Sequence, residues 1–197
     1  MFDAFEFGID FFKGLVAIDE AIVERAAQEP CRHCDGPLYR GDHGRKPRGL
    51  PIAIAAGGAF DCRFSLCCGR EGCRRRAMPP SVRFLGRRVY VGAVVIMASV
   101  IALTTTAVAA AVRATGVPAR TMRRWVRWWR GPFTTSAPFG ALSGRLIPAP
   151  ARERLPASLV ERLAQERPLA VARLLASLAP ITTTSCPDGS RFLRGMM

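Results

Sequence analysis

The chain has 197 residues, 49% of them apolar, and its 29 basic and 15 acidic side chains leave a net charge of +14. That length and apolar content suffice for a buried core and exclude wholesale disorder. A pI near 11.0 implies a polyanionic partner, either nucleic acid or an anionic membrane.

Nearly every cation is arginine, since the only lysines are Lys13 and Lys46. Arginine's rigid fork of donors suits phosphate and base-edge contacts. The charge is unevenly spread. Residues 1–30 carry seven acids against two bases, residues 31–90 thirteen bases against four acids, and residues 91–130 six bases with no acid. The N-terminus "MFDAFEFGIDFF" has acids where a signal peptide would have bases. The expected compartment is therefore the cytoplasm, where a cysteine cluster points to metal more than to disulfides.

In chain order, residues 8–28 place Phe12, Leu15, Val16, Ile22 and Val23 at helical spacing, which predicts an amphipathic helix with an acidic face ending at Glu29–Pro30. Residues 31–90 are rich in Cys, Gly, Pro and Arg. Within them "FDCRFSLC" alternates Phe60, Cys62, Phe64 and Leu66 against Asp61, Arg63, Ser65 and Cys67, which predicts a half-buried strand. "RFLGRRVYV" reads as a second strand or the lead into a helix. Residues 90–112 contain no charge and are long enough to cross a membrane. Residues 131–155 read as a Gly/Pro/Ser/Thr linker, residues 156–178 as one or two helices interrupted at Pro168, and the tail as loose.

The seven cysteines are an odd number, which suits a full disulfide set poorly. "CRHCDG" offers Cys31 and Cys34 with Gly36 to ease the turn, and "CCGREGC" offers Cys73 with Cys67 or Cys68. Cys68 is preferred because it leaves a turn containing Gly69 and Gly72. Two short-spaced pairs of thiolates are what a structural zinc requires, so the expected ligands are Cys31, Cys34, Cys68 and Cys73. Unrelated core or surface cysteines are the competing reading. Cys62 is read as a core residue, and His33 and His43 as solvated loop side chains. A closed four-cysteine site leaves no position for water and does no chemistry. It would hold in shape the cationic loops carrying Arg45, Lys46 and Arg48, and Arg74, Arg75 and Arg76.

Two readings compete for residues 90–130. One is a membrane span flanked by arginines on both sides (Arg87, Arg88, Arg113, Arg120), followed by a basic surface helix "RRWVRWWR" with interfacial tryptophans. The other divides the apolar run at Thr104–Thr106, where a threonine can cap a new helix. It then continues as a helix-turn-helix with Gly116 in the turn, Pro118 near the second helix's start, and Val117, Met122 and Trp125 buried. Thr115 in a slot usually apolar counts against it. The outward face would carry Arg120, Thr121, Arg123, Arg124, Arg127 and Arg130. Arginine there can pair bidentately with guanine edges or hold phosphates.

The combination of cysteine knuckle, "RKPRG", "CC…CRRR", "PPSVRFLGRRVY" and "TMRRWVRWW" resembles a group of small, largely uncharacterised bacterial zinc-ribbon and helix-turn-helix proteins, transposase-like and associated with mobile elements. The resemblance implies DNA binding and brings no catalytic residues. No Ser–His–Asp, Cys–His or convergent carboxylate set is visible, so no enzyme is expected.

The expected fold class is mainly α with a small zinc-stapled β module and a helix-turn-helix in the second half. Residues 1–30 would form the acidic helix, 31–90 the zinc-ribbon-like module, 91–131 the helix-turn-helix, 132–155 the linker and 156–197 the C-terminal helix and tail. The expected function is sequence-preferring binding of double-stranded DNA as an accessory or regulatory factor. A transposase or self-association would supply protein partners, location would be the nucleoid, and no small-molecule substrate is evident. A membrane-anchored protein with a cytoplasmic zinc module is the alternative.

Overall fold

The computed structural model describes residues 7–48, 50, 58, 60–85, 90–101, 108–109, 111–113 and 116–183. Thr104–Thr106, Thr115, Arg87, Arg88 and Cys186 lie outside the described residues.

The first helix, α1 (Ile9–Ala27), buries Phe12, Leu15 and Val23 along one stripe, as the spacing requires. The same stripe also buries Asp19, only 1% exposed. This acid sat unrecognised among the exposed ones of the helix. Its Oδ1 accepts a hydrogen bond from the Val82 backbone N–H (2.7 Å), and its Oδ2 accepts from Ser81 Oγ (2.5 Å) and Arg83 Nε (2.8 Å). The Arg83 guanidinium lies 4.0 Å from the centre of the Phe64 ring, where the ring's quadrupole favours a cation. The Ser81 backbone N–H donates to Thr182 Oγ1 (2.9 Å). One carboxylate thus joins the N-terminal helix, the 81–84 turn and the C-terminal end of the described chain.

The module after α1 contains five short strands: β1 (Leu38–Arg40), β2 (His43–Gly44), β3 (Cys62–Arg63), β4 (Leu66–Cys68) and β5 (Arg76–Ala77). Strands β1, β4 and β5 form an antiparallel sheet in the order β1-β4-β5, and β2 pairs with β3. Leu38 faces Cys68, Tyr39 faces Cys67, and Cys67 in turn faces Arg76. The predicted single strand "FDCRFSLC" is therefore two strands broken at Phe64–Ser65. Phe60, Phe64 and Leu66 are buried as the alternation predicts, but Arg63 and Ser65 from the opposite register are buried too. Arg63 repays its desolvation by donating to the carbonyls of Pro79 (2.6 Å) and Phe64 (3.3 Å). Burial pulls its pKa down to about 10, against the favourable charge of Asp19. Among its described residues, "RFLGRRVYV" contributes isolated bridges, Phe84 to Val91 and Tyr90 to Arg48.

The helical body is centred on α2 (Gly92–Ile101), whose residues 92–99 are all buried. A helix apolar on every side belongs inside a core, and α2 packs against α3 (Ala119–Arg130) and the last long helix. No helix of the described residues is long and apolar enough to cross a membrane. A side chain at Gly92 would come within 2.7 Å of Leu175, so this glycine allows the close approach. All three tryptophans, Trp125, Trp128 and Trp129, are buried on the inner face of α3.

The expected linker is not one. Residues 132–155 contain a 3-10 turn (Pro132–Thr135), α4 (Ala137–Ser143) and a second 3-10 turn (Arg152–Arg154). Phe133, Phe139 and Leu142 enter the core, and Phe133 stacks edge-on against Trp129 at 4.7 Å. The composition misleads because Ser and Pro also start helices. Ser136 caps α4 by accepting from the Phe139 N–H, with a proline in the first turn. Two helices follow, α5 (Ala157–Leu163) and α6 (Arg167–Leu178), and Pro168 opens the second instead of interrupting one. Residues 179–183 of the expected loose tail are packed, with Ile181 and Thr182 buried.

Asp19→Asn should cost about 3–5 kcal/mol in denaturant unfolding, because it leaves the Arg83 guanidinium buried without its counter-charge. Glu20→Gln, exposed one residue along the same helix, should change stability by no more than about 0.5 kcal/mol.

Candidate functional site

The sulfur atoms of Cys31, Cys34, Cys68 and Cys73 all lie within 4.8 Å of one another. Cys31 and Cys73 Sγ are 3.9 Å apart, and Cys34 and Cys68 Sγ 3.4 Å. These are the four cysteines named from spacing, and together they could hold a metal ion. The choice between neighbours is settled by strand register. Cys68, buried at the end of β4, turns into the cluster, whereas Cys67 points to the opposite face, its Sγ 3.4 Å from the Arg74 carbonyl.

Two loops with one hydrogen-bond pattern deliver the ligands. In the first, the Cys31 carbonyl accepts from the N–H groups of Cys34 (3.2 Å) and Asp35 (2.8 Å). In the second, the Arg70 carbonyl accepts from Cys73 (3.1 Å) and Arg74 (3.4 Å). The residue after each closing cysteine is left-handed, Asp35 at φ 56° and Arg74 at φ 45°. The second turn therefore begins at Arg70, and its first ligand reaches in from the strand two residues earlier. This explains why the second pair is spaced by four residues and not two. The Arg70 backbone N–H lies 3.4 Å from Cys68 Sγ, a contact suited to a thiolate. A side chain at Gly36 would meet Arg70 Cβ at 2.9 Å and Cys68 Sγ at 3.1 Å, so the first loop closes only with glycine there.

The Arg75 backbone N–H and the neighbouring sulfurs pull the Cys73 thiol down to about 7. At Cys68 the Arg70 N–H acts in the same sense, but burial and three sulfur neighbours prevail and push the thiol up to about 12. Metal must displace such protons, so its hold weakens as pH falls.

Neither histidine joins the cluster. His33 is exposed, its Nδ1 3.0 Å from Arg75 Nη1. His43 is a half-buried strand residue and not a solvated loop side chain. Burial first, then Arg45, Arg76 and Arg63, lower its pKa. Cys62 is half-buried in a small core with Val23, Phe64 and Leu66.

The predicted cationic residues fall into three groups. Arg45, Lys46 and Arg48 lie on the stretch after β2. Arg45 is half-buried, 5.8 Å from the centre of the Phe84 ring, and burial lowers its pKa. Lys46 and Arg48 are exposed, and the Arg48 carbonyl accepts from the Val91 N–H (3.3 Å). Arg74, Arg75 and Arg76 surround the second cysteine loop. All are exposed, although Arg76 Nη1 donates to Ser65 Oγ (2.6 Å) and to the Gly41 carbonyl. The third group is on α3, where Arg120, Thr121, Arg124 and Arg127 line one open concavity of about 440 Å³. Arg123 and Arg130 are exposed beside it. The first group is tied to α3 through Tyr90, which bridges to Arg48 and meets Trp125 edge-on at 5.0 Å.

Sequence reasoning missed Tyr39, 61% exposed on β1 beside the cluster. An isolated aromatic in the glycine-flanked "GPLYRG" was the available signal.

The chain matches no protein-family model, no curated protein and no solved structure. The transposase-like resemblance therefore rests on sequence motifs alone.

Cys68→Ser should abolish metal retention, measured as metal per chain by elemental analysis after gel filtration. Cys67→Ser should keep about one ion per chain. Equal loss in both variants would contradict the assignment of Cys68 over its neighbour.

Proposed function

We propose that this is a DNA-binding protein without catalytic activity, in which a structural zinc holds the cysteine module and α3 enters the major groove of a duplex. The observation that carries the reading is the sidedness of α3. Met122, Trp125, Trp128 and Trp129 anchor one face in the core, while Arg120, Thr121, Arg124 and Arg127 line a single concavity on the other. No acid occurs in this helix to neutralise them.

The approach to α3 is compatible with a helix-turn-helix. Residues 111–113 are helical, Gly116 has φ 64°, Val117 is fully buried, and Pro118 precedes the helix. Arg120 and Arg124, one turn apart near the helix start, are the candidates for guanine edges. Arg127 and Arg130, further along, are the candidates for phosphates, with the loops at 45–48 and 74–76 extending the cationic surface.

Zinc fits the donor set. A Zn–S bond of about 2.3 Å gives a regular tetrahedron with edges of about 3.8 Å, close to the 3.4 and 3.9 Å found. Four thiolates would leave no position for a reacting water, so the ion would contribute folding energy alone. An accessory or regulatory role in a transposase-like system suits the acids. Asp19 is the one buried carboxylate among the described residues and is engaged by Arg83. Burial of the tryptophans and of α2 supports this reading over a lipid-surface helix and a span.

The test is a titration of single alanine variants against a duplex selected from a random pool and against random duplex, at several salt concentrations. Arg120→Ala and Arg124→Ala should cost about 1–3 kcal/mol on the selected site and much less on random DNA. Arg127→Ala and Arg130→Ala should weaken both alike and lower the salt slope by about one each. Tight binding of wild type to anionic vesicles with negligible binding to duplex would overturn the reading.

A further inference from the structure

The β1-β4-β5 sheet has two unlike faces. Leu38, Leu66 and Ala77 pack with Phe64 against Val16, Val23, Ala26 and Ala27 of α1. The opposite face bears Tyr39, Cys67 and Arg76, cross-strand neighbours in one row. Tyr39 is 61% exposed, whereas an aromatic ring of its size is ordinarily covered. A side chain at Gly69 would come within 2.2 Å of Tyr39 Cε2. It therefore lies directly over glycine backbone. Around it the surface is small and cationic: Gly41 packs against Cys67, and exposed Arg70, Arg74, Arg75 and Arg76 outnumber the exposed acids Asp35, Asp42 and Glu71.

A single aromatic among arginines offers a protein partner almost no apolar area. It offers an unpaired base everything it needs, a face to stack on and cations for the flanking phosphates. Bases in a duplex are already stacked and present no such face. From this we infer that the outer face of the sheet is a stacking platform for single-stranded DNA, with Tyr39 taking a base and Arg74–Arg76 its phosphates. The inference needs the cysteine module folded but does not depend on α3 reading a duplex.

The experiment measures the affinity of metal-loaded full-length chain for a labelled 12-nucleotide oligo-dT, an abasic strand of equal length, oligo-U RNA and a duplex. Tyr39→Ala should weaken oligo-dT binding about 5- to 150-fold, the range expected for one stacked base. It should leave the abasic strand and the duplex unchanged, and Tyr39→Phe should bind oligo-dT like wild type. If Tyr39→Ala loses metal, Tyr39→Leu replaces it, since leucine still covers Gly69 but has no aromatic face; the same loss is expected. Arg124→Ala should spare oligo-dT, which separates this site from the proposed duplex site. Unchanged oligo-dT affinity in the alanine or leucine variant would overturn the platform, as would an equal loss on the abasic strand. Tighter binding of oligo-U than oligo-dT would overturn the assignment to DNA.

Discussion

The structure turns on one buried carboxylate. Asp19 accepts from two side chains and one backbone N–H on the 81–83 turn, and through Ser81 it is linked to Thr182 near the C-terminal end of the described chain. Two guanidiniums, those of Arg63 and Arg83, are buried near it. One acid cannot neutralise both, and the remainder is met by carbonyl oxygens at Arg63 and aromatic faces at Arg83. Such an arrangement adds little net stability compared with an apolar core, but it tolerates few alternatives. It fixes how α1, the cysteine module and the last turn meet.

That constraint places the cysteines. α1 ends a few residues before Cys31 and covers one face of the sheet whose strand β4 supplies Cys68. The cysteine loops are thus held between their own hydrogen bonds and a helix anchored by Asp19. The helical body uses a different device. Trp128, Trp129, Phe133 and Phe139 form a chain of edge-on contacts beneath α3, and Trp125 meets Tyr90 edge-on, each pair contributing beyond its buried area. Anchored this way, α3 can present a row of arginines without being pulled from the core.

The sequence was most informative where chemistry forces spacing. Cysteine pairs with glycine turns picked out the four cysteines that the fold brings together, because a tetrahedral site admits few arrangements. The periodicity of α1 and the buried set Val117, Met122 and Trp125 were legible for the same reason. Asp19 was not, since an acid inside an acidic helix looks like Glu20 and Glu24 until its partners, more than sixty residues away, are known. The 132–155 segment was misread because proline and serine serve both loops and helix starts. The apolar run from residue 90 suggests a span because hydropathy reports composition and not surroundings; its described ten-residue helix α2 has α3 and α6 as surroundings.

The central claim is that the cysteine module, with the metal we propose for it, and the helical body form one cooperative unit coupled through Asp19. The three tryptophans report on it cleanly, since all lie on α3, which carries no cysteine. The decisive measurement is urea unfolding followed by tryptophan fluorescence, with metal bound and after its removal by a chelator. Coupling predicts that removal lowers the midpoint of the tryptophan transition in the wild type, and does so far less in Asp19→Asn. A wild-type tryptophan transition unmoved by complete loss of the metal would contradict the account.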